Sequence, residues 1–244
     1  MAHEQITIPT SDGQCPAYIC TPRSGKKAPA IVIYMDAAGI RPALISMAER
    51  LSAAGYVVLL PDLFYRYGAY GPFDPKEVFK GDFRAILGPL FVTTSNARGA
   101  ADTEAFVAYL DARSDVEGHK MGAVGFCMGG GMAIAAAGTW PDRFAAVASF
   151  HGGNLATEAA DSPHGYAPKL KADLYIAAAE NDATYPPAMA DKFMRALDDA
   201  HVSYRAETYA ASHGWMKTDF PDYNAAEAER GWREMLAFFG RSLR

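Results

Sequence analysis

Residues 120–131 read KMGAVGFCMGGG, a short apolar strand that runs into a glycine-flanked cysteine and then into an alanine-rich helical segment. The glycines at 125 and 129 leave room for a sharp turn from strand to helix, so that the side chain of Cys127 projects alone. A thiol at a helix N-terminus is favoured as the thiolate, which is the nucleophilic form. The pattern therefore predicts a nucleophile elbow. On this motif alone, a buried cysteine in a glycine-rich turn is an equal alternative.

Apolar runs and helical patterns alternate on both sides of this stretch. Such alternation is typical of an α/β protein with a mostly parallel central sheet and helices on both faces. An antiparallel hairpin, with strands at 4–8 and 16–20, is predicted to open the chain. The remaining strands are predicted at 30–34, 56–60, 121–125, 145–150, 174–179 and 203–209, and helices from Pro42 to Gly55, then at 95–112, after the elbow, and at 187–200 and 222–240.

Two segments lack a clear period. Residues 62–94 carry three prolines and eight aromatic residues, which favours a cap-like excursion over the substrate; an ordinary surface loop is the alternative. Residues 154–172 are interpreted as a loop. No composition shift divides the chain, so residues 1–244 are predicted to form a single domain.

Composition excludes several classes of partner. The formal net charge is −5 and no basic run is present, which argues against binding to nucleic acid or to an anionic membrane. The N-terminus has no leader pattern and no apolar run approaches bilayer length, so a cytoplasmic protein is expected. The three cysteines do not form a disulfide framework, and Cys15 and Cys20 are interpreted as structural.

Two polar residues follow predicted strands beyond the elbow. Asp182 comes after the strand at 174–179, and His213 lies on the loop after the strand at 203–209. Functional groups collect at the carboxyl ends of parallel strands, and the order nucleophile, acid, histidine is that of an α/β-hydrolase triad. Glu180 and Asp173 are weaker candidates for the acid. His151 also follows a strand and is predicted to line the pocket; a structural role in its Gly-Gly turn is the alternative.

The family resemblance rests on four segments: GFCMGG at 125–130, PDLF at 61–64, ND at 181–182 and SHG at 212–214. Together they resemble the dienelactone hydrolase family of α/β-hydrolases, along nearly the whole chain. The resemblance implies hydrolysis of an enol lactone such as dienelactone to maleylacetate, with no metal or organic cofactor. It also implies that Cys127 is the nucleophile, Asp182 and His213 its partners, and the backbone N–H of Met128 an oxyanion donor.

The sequence departs from the family pattern at two positions. Where the family has a glutamate that helps to activate the thiol when substrate arrives, this chain has the shorter Asp36; a turn aspartate is the alternative. Ala37 beside it is predicted to supply the second oxyanion N–H. Where the family binds the substrate carboxylate with an arginine four residues beyond the histidine, this chain has Lys217, which lacks the bidentate fork. Arg84 is a candidate second anchor, or else a solvated arginine.

The leading hypothesis is a cysteine hydrolase that cleaves a small lactone or ester through an acyl-enzyme. A broader carboxylesterase or thioesterase is one alternative, favoured by the lysine at position 217. A ligand-binding protein that kept the fold and lost turnover is another. A monomer or a weak homodimer is expected.

Overall fold

The computed structural model describes residues 3–243. Eight strands form one sheet, in the spatial order first, second, fourth, third, and then fifth to eighth. The second strand pairs antiparallel with both the first and the fourth, and all the other pairings are parallel. The mostly parallel sheet is therefore confirmed. The strands are β1 (His3–Thr10), β2 (Gly13–Cys20), β3 (Ala30–Tyr34), β4 (Val57–Pro61), β5 (Met121–Phe126), β6 (Phe144–Phe150), β7 (Asp173–Asn181) and β8 (Tyr204–Ser212).

Seven α-helices are found among the described residues. They are α1 (Pro42–Ala53), α2 (Pro75–Val78), α3 (Phe83–Phe91), α4 (Asn96–Asp111), α5 (Met128–Thr139), α6 (Pro187–Asp199) and α7 (Ala225–Ser242). Helix α4 packs against α5, and α5 lies against β5 and β6. Helices α1 and α7 lie beside each other. Arg50 of α1 pairs with Glu229 of α7 at 2.7 Å and stacks on Trp232 of the same helix. The sheet is thus covered by helices that the apolar pattern predicted.

The buried strands follow from continuous apolar runs. Every residue of β3, β4 and β5 is buried, as expected for central parallel strands covered on both sides. The outer hairpin differs: most of β1 is exposed, and the inward positions of β2 are buried. Because β3 to β8 are paired in parallel, their carboxyl ends share one edge of the sheet. The loops after β3, β5, β6, β7 and β8 converge at this edge.

The structure differs from the predicted elements in three places. The segment 62–94 contains α2 and α3, whose first turns are capped by the side chains of Asp74 and Asp82. A 3-10 helix at Pro163–Lys169 interrupts the predicted loop at 154–172. Strands β7 and β8 extend to Asn181 and Ser212, farther than the apolar runs indicated.

The segment 62–94 is fastened to the sheet edge by Tyr70. Its hydroxyl donates to Asp62 at 2.7 Å and accepts from the backbone N–H of Ile40 at 3.3 Å. Farther along, Val78 and Leu87 are buried in a small apolar cluster with Ala37. These contacts place the segment over the loop that follows β3.

A single domain over residues 1–244 stays a prediction; within residues 3–243, all eight strands belong to one sheet, which supports a single unit there. Within residues 3–243, no helix combines the length and the apolar character that crossing a bilayer requires.

Candidate active site

Cys127 sits between β5 and α5 in a backbone conformation that side chains rarely adopt, with φ 56° and ψ −120°. The two flanking glycines make this turn possible. A Cβ at Gly125 would lie 1.9 Å from the carbonyl oxygen of Gly129, and a Cβ at Gly129 would lie 2.1 Å from the carbonyl oxygen of Tyr34. The predicted strand-to-helix elbow is therefore present, and it holds the start of α5 directly against the end of β3.

The structure brings together Cys127, His213 and Asp182. Nδ1 of His213 lies 2.7 Å from Oδ2 of Asp182, whose side chain is 1 % exposed. The imidazole also lies close enough to Cys127 to lower the pKa of the thiol. The geometry has the cysteine, histidine and acid in the order that proton transfer from a thiol requires.

Thr184 fixes the orientation of Asp182. Its backbone N–H and its hydroxyl both donate to Oδ1, at 2.8 and 2.6 Å. This leaves Oδ2 for the histidine. The two competing acids, Glu180 and Asp173, are exposed, whereas the acid that pairs with His213 is Asp182. Sequence reasoning missed Thr184, although a threonine two residues after an aspartate is a recognisable turn signal.

Charges in the site favour an ion pair between thiol and imidazole. Burial alone would raise the pKa of Cys127, but the hydrogen bond and charge of His213 and the charge of Lys217 lower it below its ordinary value. Burial would lower the pKa of His213, whereas Cys127 and Asp182 raise it to about 10. Burial would raise the pKa of Asp182, and the bonds from His213 and Thr184 lower it. The combination favours thiolate, imidazolium and carboxylate at neutral pH.

The two predicted oxyanion donors lie next to the elbow. Ala37 belongs to the apolar cluster against which Cys127 packs, and Met128 is the first residue of α5. Within residues 3–243, neither backbone N–H has an acceptor. The N–H of Met128 lies in the first turn of α5, where an intrahelical partner is lacking, and the N–H of Ala37 lies on the loop after β3, so both groups are free to donate to a ligand.

Asp36 and Lys217 form a fully buried pair. Nζ of Lys217 lies 3.2 Å from Oδ2 of Asp36, and neither side chain is exposed. Burial would raise the pKa of Asp36, but Lys217 and Arg41 lower it. Oδ1 also accepts the backbone N–H of Ala38 at 2.8 Å, which is the hydrogen bond of a turn aspartate. The contact with Ala38 supports the turn-aspartate interpretation, and a role of Asp36 in activating the thiol stays a prediction.

Arg41 completes this buried cluster and was not found from the sequence. Its guanidinium donates to both carboxylate oxygens of Asp36, at 2.8 and 2.9 Å. Its other face pairs with Asp219, with Nε 2.5 Å from Oδ2. The side chain of Arg41 is 1 % exposed. The position of Arg41, directly before the proline that begins α1, gave no indication that its side chain is buried. A sequence does not reveal which charged side chains the fold brings together.

The other predicted substrate-binding residues lie in different surroundings. His151 is fully buried beside His213 and has φ 41°. Arg84 is exposed, and its guanidinium carbon lies 5.9 Å from the ring centroid of Phe83. No described contact joins Arg84 to Cys127 or to His213, and its role as an anchor stays a prediction.

A cavity of about 310 Å³ borders the elbow. Its apolar wall includes Phe91, Met128 and Met132, and its polar wall includes Asn154 and Asp161. No lysine, arginine or histidine is among its lining residues. In the described part of the chain, no group of three or more His, Cys, Asp or Glu side chains could hold a metal ion.

Comparison with known proteins gives the family. The family model described as the dienelactone hydrolase family matches residues 15–243. The chain belongs to the dienelactone hydrolase family. Membership places it among enzymes that hydrolyse ester and lactone bonds.

Individual relatives of this dienelactone hydrolase family member are distant but match over their full length. A Synechocystis sp. protein provisionally named a carboxymethylenebutenolidase is 26% identical, over 98% of this chain and 96% of its own. A provisionally named dienelactone hydrolase from Klebsiella pneumoniae has a similar structure, with a TM-score of 0.85 and 22% identity, covering 98% of both chains. Dienelactone hydrolase from Anabaena variabilis gives a TM-score of 0.69 at 20% identity, covering 100% of this chain and 99% of its own. These likenesses confirm the predicted α/β-hydrolase fold.

The remaining cysteines of this dienelactone hydrolase family member lie away from the elbow. Cys15 and Cys20 are free and buried in the core. Burial, with a contribution from Glu49, raises the pKa of Cys20 to about 12, and burial also raises that of Cys15. Both thiols therefore stay protonated at neutral pH, and the direction of their pKa shift is opposite to that of Cys127.

Proposed function

We propose that this protein hydrolyses a small-molecule lactone or ester, with Cys127, His213 and Asp182 as its catalytic residues. The observation that carries the proposal is the position of His213, whose Nδ1 lies 2.7 Å from the carboxylate of Asp182 and whose charge lowers the pKa of the Cys127 thiol. A histidine held in this way can accept and return a proton while the acid fixes its tautomer.

The reaction proceeds in two halves. In the first, the Cys127 thiolate attacks the carbonyl carbon, the carbon–oxygen bond of the ester breaks, and His213 donates its proton to the departing alkoxide. This leaves an acyl-cysteine; from a lactone, the alcohol stays attached to the acyl group. In the second, His213 takes a proton from water, the hydroxide attacks the thioester, and the acid departs as the thiolate re-forms. Each half passes through an oxyanion.

The backbone N–H groups of Met128 and Ala37 are proposed to stabilise this oxyanion. Both lie beside Cys127 and lack an acceptor among the described residues. A donor of this kind contributes about 3 kcal/mol to the stability of a transition state. The proposal needs no cofactor, since the thiolate and the two N–H groups supply the nucleophile and the electrophilic stabilisation.

Two observations bear on how a substrate carboxylate would be bound. Lys217 and Arg84 remain proposed anchors for it, but the charge of Lys217 is already paired with Asp36 and its side chain is fully buried. The cavity beside Met128 has no basic lining residue. These two observations favour a second candidate function, a carboxylesterase that acts on neutral esters, in which the cavity holds an uncharged part of the substrate.

The first experiment follows the loss of the ultraviolet absorbance of dienelactone, with hydrolysis of a 4-nitrophenyl ester measured in parallel. We expect turnover that disappears in Cys127→Ala and persists in Cys20→Ala, a buried thiol away from the elbow. Turnover of the lactone assigns the family's substrate class, whereas turnover of the neutral ester alone assigns the second candidate. Absence of both reactions in the wild type would contradict the proposal.

A second experiment separates the two candidates at Lys217. The variant Lys217→Met keeps the length of the side chain and removes its charge. If Lys217 anchors a carboxylate, KM rises for carboxylate-bearing esters and is unchanged for neutral ones. An equal fall in kcat for both, with KM unchanged, contradicts the anchor and assigns the lysine an electrostatic effect on Cys127.

A further inference from the structure

The carboxylate of Asp36 is held by three hydrogen bonds and one ion pair. A carboxylate offers about four acceptor positions. Oδ1 accepts from the backbone N–H of Ala38 and from Nη1 of Arg41, both at 2.8 Å. Oδ2 accepts from Nη2 of Arg41 at 2.9 Å and lies 3.2 Å from Nζ of Lys217, which makes no hydrogen bond within residues 3–243. Three positions are therefore occupied by hydrogen bonds, and Oδ2 also faces the charge of Lys217.

Each N–H donor of Arg41 has an acceptor. A guanidinium has five N–H donors in a fixed fork. Two go to Asp36, and Nη1 also donates to the carbonyl of Gly39 at 3.0 Å. The remaining two go to Asp219, from Nε at 2.5 Å and from Nη2 at 3.2 Å. Every donor has an acceptor, so neither partner can turn towards another group without leaving buried charge unpaired.

We propose that Arg41 is a positioning residue that permanently occupies Asp36, so that Cys127 is paired with His213 before a substrate arrives. The inference rests on the proposed role of Cys127 as nucleophile. It differs from the activation that the family resemblance implied, in which the acidic residue at this position acts on the thiol when substrate enters. Here the acid is already held by Arg41 and by the backbone of Ala38, and the resting site holds a preformed nucleophile.

The charges around Cys127 agree with this arrangement. His213 and Lys217 are the cations that act on the thiol, and the carboxylate of Asp36 opposes them. Arg41 neutralises Asp36 and thereby weakens that opposition. His151, the other ionisable side chain beside His213, is neutral because burial, Lys217 and His213 keep its pKa well below 6.5.

The test is alkylation of the free enzyme by iodoacetamide between pH 5 and 10, with the rate in Cys127→Ala subtracted as background. In the wild type we expect the midpoint of the rate profile below 8.5, the ordinary thiol value. In Arg41→Met the unmasked carboxylate raises the midpoint by about one pH unit, so the rate at pH 6 falls about tenfold. A wild-type midpoint at or above 8.5 would overturn the proposal.

A double variant tells positioning from a general structural effect. Asp36→Asn combined with Arg41→Met removes one charge of each sign, and such paired removal from a buried site is commonly tolerated. We expect its midpoint to return towards the wild-type value, because the effect of Arg41 passes through Asp36. A midpoint equal to that of Arg41→Met would overturn the proposal.

If Arg41→Met alone does not fold, Arg41→Lys replaces it. Lysine keeps one positive charge but lacks the fork that donates to both oxygens of Asp36. The midpoint should rise by a smaller amount in the same direction, and an unchanged midpoint would overturn the proposal. Alkylation needs no substrate, so a protein that fails to hydrolyse any ester still gives this result, and the two failures are distinguishable.

Discussion

The imidazole ring of His151 lies 5.0 Å from that of His213, with the two planes 64° apart. His151 also lies 5.0 Å from the ring of Trp215, is fully buried, and has no hydrogen-bond partner for either ring nitrogen within residues 3–243. The neutral ring of His151 thus packs beside the proposed catalytic histidine, His213. Contacts of this type limit the rotation of His213 without adding a second proton donor.

Replacement of His151 by phenylalanine keeps a ring beside His213. We therefore expect kcat to fall by less than about tenfold, since no proton transfer is lost. His151→Ala leaves a cavity and should lower the free energy of unfolding by about 3 kcal/mol, measured by urea denaturation. A loss of more than about 100-fold in a folded His151→Phe protein would show that a ring nitrogen takes part in the reaction.

The pH profile of kcat/KM should be bell-shaped. The active form needs thiolate and imidazolium, so activity rises with pH through the lowered pKa of Cys127. It falls again as pH rises through the raised pKa of His213, at about 10. Steady-state rates across this range, with circular dichroism to show that the protein stays folded, provide the measurement. A profile whose only midpoint lies near pH 6.5 would indicate an unpaired histidine.

His213→Ala removes the proposed general base and acid, and turnover should fall by several orders of magnitude with the fold intact. The exposed His119, on the loop before β5, provides the matched control, since His119→Ala should leave the rate unchanged. Both variants are compared by ester hydrolysis and by thermal unfolding. Near-normal turnover in His213→Ala would remove this residue from the catalytic set.

Thr184→Val removes the hydroxyl that donates to Asp182 at 2.6 Å but keeps the backbone bond. A hydrogen bond to a carboxylate contributes about 1.5 kcal/mol or more, and the exposure of Thr184 favours the low end. We expect kcat/KM to fall about tenfold. Thr184→Ser keeps the hydroxyl and should retain activity. If valine and serine have the same effect, the side chain does not position Asp182.

Gly129→Ala should be among the most disruptive small substitutions in the chain. Its Cβ would lie 2.1 Å from the backbone oxygen of Tyr34, and main-chain atoms at the end of β3 cannot move aside cheaply. We expect a loss of more than about 4 kcal/mol in the free energy of unfolding, or failure to fold. Gly165→Ala, with no atom within 4 Å of its Cβ, is the control. Equal melting temperatures for the two variants would contradict this account of the elbow.

The sequence predicted those features that depend on local pattern. Continuous apolar runs located the buried strands, and a glycine on each side of Cys127 located the elbow. The order of residues placed Asp182 and His213 at adjacent strand ends, and the structure brings them to 2.7 Å. Family membership and the α/β-hydrolase fold were also predicted correctly.

The features that were missed depend on contacts between distant segments. Arg41 and Asp219 are 178 positions apart, and no local signal shows that they share a buried pair with Asp36. Helix α3 was not predicted, because Pro89 lies inside it. The side chain of Asp82 nevertheless caps this helix by accepting from two backbone N–H groups. Patterns along the chain indicate elements, whereas burial of charge is a property of the assembled fold.

The double hydrogen bond of Tyr70 bears on how this scaffold could be diversified. Exchanging residues 62–94 for the corresponding segment of a relative looks like a way to change substrate preference while leaving the chemistry alone. The hydroxyl of Tyr70, however, holds both the carboxylate of Asp62 and the backbone of Ile40. A graft without a donor at this position would disturb the segment that carries Ala37, so the cover and the reacting centre cannot be treated as independent modules.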